Sequence, residues 1–403
     1  MKDKYDVVLY FYWVHTHTVN KIIALHKELE KDHDVLTIFG NDSQGISKET
    51  FALFKEFTTE DIVLRSTQAA LELLKGIDFK IGVFSSNGRK GFRKDAPLNE
   101  DGTKPISLGS QWPNIGKDIK IAKEKGALSI QISEMINDNY YAGADIVSLI
   151  SPTMRDYHMA SGEASPYELF HISQWRPYDA RPEPKYIYSN CLFWDSDENV
   201  ERYLPYKLTR KDFCEKYNLD EEKDILIYLP SDCRWGFTGK DGQTVGYTSG
   251  VAQEVYKKVC SMDNVILKLH PKEYKNWMSY DVDEKRSYEI LGIEDIRILE
   301  EVDTHWAYKY AACGISESSS VSIEFPLYDT PFLYVHPWHF PWAKLFVSLS
   351  HVCGLKDFES FIEDERYKEE ISGLKEFYND EILVDPTRSA VKVLAEQIGG
   401  YLV

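Results

Sequence analysis

Residues 4–39 read KYDVVLYFYWVHTHTVNKIIALHKELEKDHDVLTIF. Lys4–Trp13 is a nearly unbroken run of apolar and β-favouring residues, the pattern of a strand covered on both faces. Across 18–31, Ile22, Leu25 and Leu29 recur at helical spacing, and Asp34–Phe39 returns to a short apolar strand that ends at Gly40. Strand, helix and strand in so short a span form a crossover unit, whose two strands lie parallel. The alternation continues with a strand at Phe79–Phe84, a helix at Asn114–Lys125 and strands at Leu128–Ile132 and Ile146–Ile150. Such a series winds helices over both faces of an open parallel sheet.

Around 175–185 the composition changes. Trp175-Arg176-Pro177 and Arg181-Pro182-Glu183-Pro184 crowd prolines together, and each proline biases its predecessor away from helix, so the stretch reads as an extended linker. A second α/β series follows. Strands are expected at Lys185–Ser189, Asp224–Leu229, Val265–Leu269, Ile296–Leu299, Cys313–Ile315 and Thr330–Val335. Helices are expected at Thr209–Tyr217, Gly250–Cys260, His305–Ala312 and from Ser318 to Leu327. Asp385-Pro386 supplies a cap and first-turn proline for a last helix through Ile398. The expected architecture is α/β, with two Rossmann-like doubly wound domains facing across a cleft. The first spans 1–180, the second 186–378, and the helix of 385–403 crosses back to the first. That arrangement resembles the GT-B glycosyltransferases. Paired Rossmann-like domains also occur in dehydrogenases, but no GxGxxG follows a strand here.

A chain of 403 residues with 43% hydrophobic and 28% charged residues is an ordinary globular protein of two-domain size. The net charge of −18 argues against nucleic acid and against attraction to an anionic membrane by overall charge. The basic string Gly88–Lys94 (GRKGFRK) reads as a solvated loop. Asp3 and Asp6 near the start and a first apolar run of strand length give no secretory leader, and no apolar stretch has the length of a spanning helix. Six cysteines stand singly, without metal or disulfide spacing, which fits a reducing compartment. The expected location is the cytoplasm, including peripheral association at the inner face of the plasma membrane.

Three segments of the second half carry chemistry. In Ile315–Pro331 (ISESSSVSIEFPLYDTP) a strand ends, Ser316, Ser318, Ser319 and Ser320 follow, and a helix begins. Amides and hydroxyls at a helix start suit a phosphate or diphosphate, and Glu324 one turn on suits a ribose. The plainer reading is a serine-capped helix with a solvated glutamate. In Val265–Pro271 (VILKLHP) a strand delivers Lys268 and His270 to a proline stop, where a histidine can meet a leaving diphosphate. Lys268 alternates with Leu267 and Leu269, so its amine emerges at another level. In Ile225–Trp235 (ILIYLPSDCRW) a third strand stops at proline before Arg234, whose fork matches phosphate oxygens. A histidine at a strand end is commonly structural, but three such ends in one domain favour one anionic site.

The strings LPSDCRW, KLHP and SESSSVSIEFPLYDTP resemble the C-terminal domain of the CDP-glycerol glycerophosphotransferase family, the teichoic-acid polymerase and primase group. The resemblance covers roughly 186–340, and related loops occur in nucleotide-sugar 2-epimerases. It implies that Arg234, His270, Ser318, Ser319 and Ser320 hold the donor's diphosphate, and Lys268, on the same strand end as His270, is a further phosphate-binding candidate. The family's Thr-Asp-Tyr-Ser-Ser string is replaced here by Ser316-Glu317-Ser318-Ser319, and its usual aspartate by Glu324. Its acceptor-side string His-Gly-Thr-Pro-Leu-Lys is absent.

In the first half, His15 or His17 suits deprotonation of an acceptor hydroxyl, with Glu134 a weaker alternative. Spaced i, i+2 in an extended loop, the two histidines point oppositely, so one serves; both also read as a capping loop beside Thr16 and Thr18. His336, Trp338 and His339 read as an aromatic plug. No Asp-x-Asp is present, and neither metal nor other cofactor is called for. The expected activity is transfer of a sugar or polyol-phosphate group from a nucleotide-diphosphate donor to a saccharide or lipid-linked hydroxyl. By resemblance the setting is bacterial surface polysaccharide: capsule, teichoic acid or lipopolysaccharide. Two other readings stay open, a 2-epimerase-like enzyme and a non-catalytic nucleotide-binding scaffold.

Overall fold

A computed structural model describes residues 2–12, 16–40, 55, 57–85, 115–132, 143–152, 185–190, 201, 204, 206–230, 236–238, 244–246, 251–269, 287–316, 319–335, 351–354, 356–370, 376, 379–380 and 383–402. The chain divides into two compact units. Unit 1 is Met1–Ser43, Phe54–Asp195 and Ile382–Val403, and unit 2 is Gln44–Leu53 and Ser196–Glu381.

Unit 1 is built on β1 (Lys4–Tyr12), α1 (Thr16–Leu29), β2 (Val35–Gly40), β3 (Ile62–Arg65), α2 (Thr67–Gly76), β4 (Asp78–Ser85), α3 (Ile115–Glu124), β5 (Leu128–Ile132), β6 (Ile146–Leu149) and β7 (Lys185–Tyr188). Among the described residues its seven strands are all parallel, in the order β3-β2-β1-β4-β5-β6-β7. Val7 through Phe11 of β1 are fully buried, as a central strand covered on both faces requires. Residues Ile22 and Leu25 of α1 are likewise buried, and His26 ties the helix to β2 through Thr37 Oγ1 at 2.9 Å.

Two expectations are corrected here. The strand β7 does not open the second domain; it pairs with β6, Ile146 opposite Lys185, and completes the first sheet. Its sequence is apolar enough for either sheet, and only the long-range pairing decides. The helix α1 begins at Thr16, so His17 stands in its first turn and not in an extended loop.

Unit 2 contains α4 (Arg210–Tyr217), β8 (Leu226–Tyr228), the hairpin β9 (Gly236–Thr238) and β10 (Thr244–Gly246), α5 (Val251–Cys260), β11 (Val265–Leu267), α6 (Thr304–Tyr310), β12 (Cys313–Ser316), β13 (Phe332–Val335), β14 (His351–Cys353) and α7 (Phe358–Glu363). Thr209 caps α4 in a reciprocal box with Asp212, as its sequence announces. The main sheet is parallel, in the order β11-β8-β12-β13-β14, and Ile298 adds a single parallel bridge beyond β11.

The last helix, α8 (Ala390–Gly399), belongs to unit 1 and packs on α1, and its Val391, Leu394 and Ile398 are buried. Ser389 caps it, not Asp385, whose carboxylate instead closes a turn on Thr387. The returning chain is fastened at the end of β7 by Asn190, a non-glycine residue with φ 58°. Its Oδ1 accepts from the amides of Val384 (2.8 Å) and Asp385 (3.2 Å), and its Nδ2 donates to the carbonyls of Asp385 (2.8 Å) and Arg388 (3.3 Å). Asn190→Gly keeps the left-handed backbone and removes all four bonds. It is expected to lower stability in urea by about 1–3 kcal/mol and to speed amide exchange across α8. Unchanged exchange in α8 would show that the clasp does not hold the helix.

Candidate functional site

The three segments singled out in the sequence follow strands that are immediate neighbours in unit 2: β11, β8 and β12. Tyr228 of β8 is in register with Leu267 on one side and Ile315 on the other. The ladder continues one step further at the same level, with Lys268 N–H on Tyr228 O at 2.9 Å and Leu229 N–H on Ile315 O at 2.9 Å. All three strands point the same way, so the chain leaves from one edge into the segments bearing His270, Arg234 and Ser318. The chain passes from β8 outward to β11 and then back to β12 on the other side. The order therefore reverses between β8 and β12, and open α/β sheets bind ligands at the carboxyl ends of strands at such a reversal.

Beyond β12 the structure assigns different jobs to serines that look equivalent in the sequence. Ser316 is fully buried; its Oγ donates to Leu229 O (2.6 Å) and accepts from Ser319 N–H (2.9 Å). It clasps the ends of β8 and β12 and turns the chain toward the next helix. That uses the Ser319 amide, which is therefore not a ligand donor in this arrangement. Tyr334 Oη holds the next peptide, donating to Ser319 O at 2.6 Å.

The helix that follows, Ser320–Tyr328, is a 3-10 helix with Pro326 inside it, where the sequence suggested an ordinary helix. Long 3-10 runs are uncommon, and proline withholds a donor from the ladder. Outside contacts hold this one. Phe325 lies so close over β12 that a Cβ on Gly314 would fall 2.5 Å from its ring, so only glycine lets the helix settle on the sheet. At its far end Tyr328 Oη meets His305 Nδ1 at 3.0 Å, and His305 Nε2 faces Glu201 at 3.4 Å. His305 lies on α6, and nothing in its local sequence points to this role.

Lys268 is 7% exposed, with burial lowering its pKa and the carboxylates of Glu301 and Glu324 opposing that shift. Glu324 is half-buried within the 3-10 helix. Glu301 escaped the sequence reading, because it lies on an acidic stretch that looks solvated. His15, Arg234, His270 and Ser318 lie outside the described residues, together with the side chains of His17 and Ser320. Glu134, His336, Trp338 and His339 do so as well. Among the described residues no helix is long and apolar enough to cross a membrane.

The fold is shared with known enzymes. The chain is similar to MnaA of S. aureus, in a co-structure with UDP, at TM-score 0.55 and 13% identity, over 100% of this chain and 97% of that one. It is similar to UDP-GlcNAc 2-epimerase from Methanocaldococcus jannaschii at TM-score 0.54 and 8% identity, over 98% and 99% of the two chains. A variant of the wall teichoic acid polymerase TagF, soaked with CDPG, gives TM-score 0.50 and 10% identity over 98% and 88%. At these identities the likeness is one of fold, and it defines the chain as an α/β protein of GT-B type. No protein-family model and no curated protein matches the sequence.

The serine clasp is testable without any ligand. Ser316→Ala leaves the Leu229 carbonyl and the Ser319 amide without their partner, and a buried polar group so orphaned costs about 1–3 kcal/mol. Urea denaturation is expected to show that loss. Wild-type stability would mean that the turn is held by its neighbours alone.

Proposed function

We propose that this chain is a transferase that binds a nucleotide-diphosphate donor at the carboxyl edge of the unit 2 sheet and passes a sugar or polyol-phosphate group to a hydroxyl. One observation supports this reading above the rest: the reversal of strand order falls between β8 and β12, beside the segments richest in anion-binding chemistry. Two proteins of the same fold, MnaA with UDP and TagF with CDPG, have nucleotide ligands in their structures.

In the proposed reaction, Arg234, His270 and the Ser318–Ser320 segment stabilise the negative charge that grows on the leaving phosphate. Such groups act strongly when fixed in advance around the developing charge. Glu324 accepts hydrogen bonds from the ribose. His15 or His17 takes the proton of the acceptor hydroxyl, and the proposed charge stabilisation needs no metal ion. The acceptor is a saccharide or lipid-linked hydroxyl met at the cytoplasmic side of a membrane, and the product is a bacterial surface polysaccharide.

The test is turnover of CDP-glycerol and of UDP-sugars by the full chain, with and without saccharide acceptors. Release of nucleoside diphosphate or monophosphate is expected to require an acceptor and to persist in EDTA. His270→Ala is expected to lower the rate by on the order of 10²–10³ at an unchanged melting temperature. An isomerised sugar formed without acceptor would replace this reading with a 2-epimerase. Wild-type turnover in a folded His270→Ala variant would remove the assignment of that residue.

A further inference from the structure

The 3-10 helix Ser320–Tyr328 depends on its surroundings, because its run is long for its class and Pro326 interrupts its ladder. Part of its seat is α6. Tyr308 of α6 packs against Phe325 with ring centroids 4.7 Å apart, and against Tyr328 at 5.9 Å. His305, also on α6, adds a directed contact. Its Nδ1 meets Tyr328 Oη at 3.0 Å, and the two rings stand edge to face with centroids 5.4 Å apart.

The far nitrogen of the imidazole decides the sense of that bond. His305 is 5% exposed, its Nε2 faces Glu201 Oε1 at 3.4 Å, and Lys309, one turn further along α6, donates to the same oxygen. Burial acts to raise the Glu201 carboxyl, but the hydrogen bonds from Lys309 and His305 outweigh it and hold the group below its ordinary value. Glu201 is therefore a carboxylate at neutral pH, and a carboxylate only accepts. Nε2 carries the ring proton, which leaves Nδ1 of the neutral imidazole to accept and makes Tyr328 Oη the donor. Tyr328, His305 and Glu201 thus form a directed chain that starts at the end of the helix.

We propose that His305 is a positioning residue for the donor: by accepting the Tyr328 hydroxyl it fixes the end of the 3-10 helix, and so holds that helix in place for a nucleoside diphosphate without touching the ligand itself. This rests on the donor site proposed above. Glu324 lies on the same short helix, four positions before Tyr328, so freedom at Tyr328 reaches it directly. A helix that is correctly placed for only part of the time binds in that fraction alone, and the apparent affinity falls with the fraction.

Two substitutions at this one position separate the two bonds of the imidazole. Asparagine sets an amide oxygen near the place of Nδ1 and can still accept from Tyr328. Glutamine reaches the place of Nε2 and can still donate to Glu201, but it withdraws the acceptor from Tyr328. The measurement is calorimetric titration of the full chain with UDP and with CDP, beside the melting temperature of each variant. Wild type is expected to bind at least one of the two nucleotides. His305→Gln and Tyr328→Phe are each expected to weaken that nucleotide about fivefold, the effect of one hydrogen bond, and the double variant to bind no more weakly than either. His305→Asn is expected to rescue most of the affinity while its melting temperature falls as far as that of His305→Gln. Tyr328→Phe keeps the test available if His305→Gln does not fold. Equal losses of affinity in His305→Asn and His305→Gln would reduce the histidine to a structural part and overturn the proposal. Wild-type affinity in Tyr328→Phe would also overturn it, with the donor site left standing. Binding of neither nucleotide by wild type would bring down the donor site itself, and this inference with it.

Discussion

The site depends on the direction of β8 relative to its two neighbours. Because β8 runs parallel to both β11 and β12, every chain exit that matters lies on one edge of the unit 2 sheet. Were either pairing antiparallel, its segment would leave from the opposite end of the sheet, one strand length away. Parallel pairing in turn demands crossover connections, and these carry the chain outward to β11 before returning it beyond β8 to β12. The reversal of strand order is the consequence, and with it the crevice in which such sheets hold ligands.

Much of the local structure serves to bring one short helix to that edge. Ser316 bridges the ends of β8 and β12, Tyr334 fixes the next peptide, and Gly314 admits Phe325 onto the sheet. His305 and Tyr328 then pin the far end of the helix. The strand that supplies the site thus also supplies the contacts that aim it. The proposed phosphate-binding and ribose-binding groups are set by adjacent strand ends of one sheet, and a shift in one strand end would be felt by both.

Alternating apolar strands and amphipathic helices made the α/β class legible, and the motif-bearing strand ends of unit 2 were legible as well. Their proline stops and polar sequels are local signals, and β8, β11 and β12 form where those signals stand. The strand β3 and helix α2 escaped notice, because IVLR is too short for a periodicity argument, although Ser66 does cap α2 through the Ala69 amide. What the sequence could not disclose is pairing at long range. The strand β7 is apolar in a way that suits either sheet, and its membership is decided by β6 alone. Asn190 meets residues almost two hundred positions later, and the segment at Ile298 reaches β11 only through a single bridge to Leu267. Alternation showed that Lys268 faces away from its leucine neighbours; only the fold shows that it is buried.

The central claim is that the carboxyl ends of β8 and β12 hold the diphosphate of a nucleotide donor. A crystal structure of the full chain grown with UDP or CDP tests it most directly. The account predicts both phosphorus atoms beside the start of the Ser320–Tyr328 helix, with the ribose toward Glu324. A nucleotide found at the edge of the unit 1 sheet, or phosphates remote from the β8 and β12 ends, would contradict it.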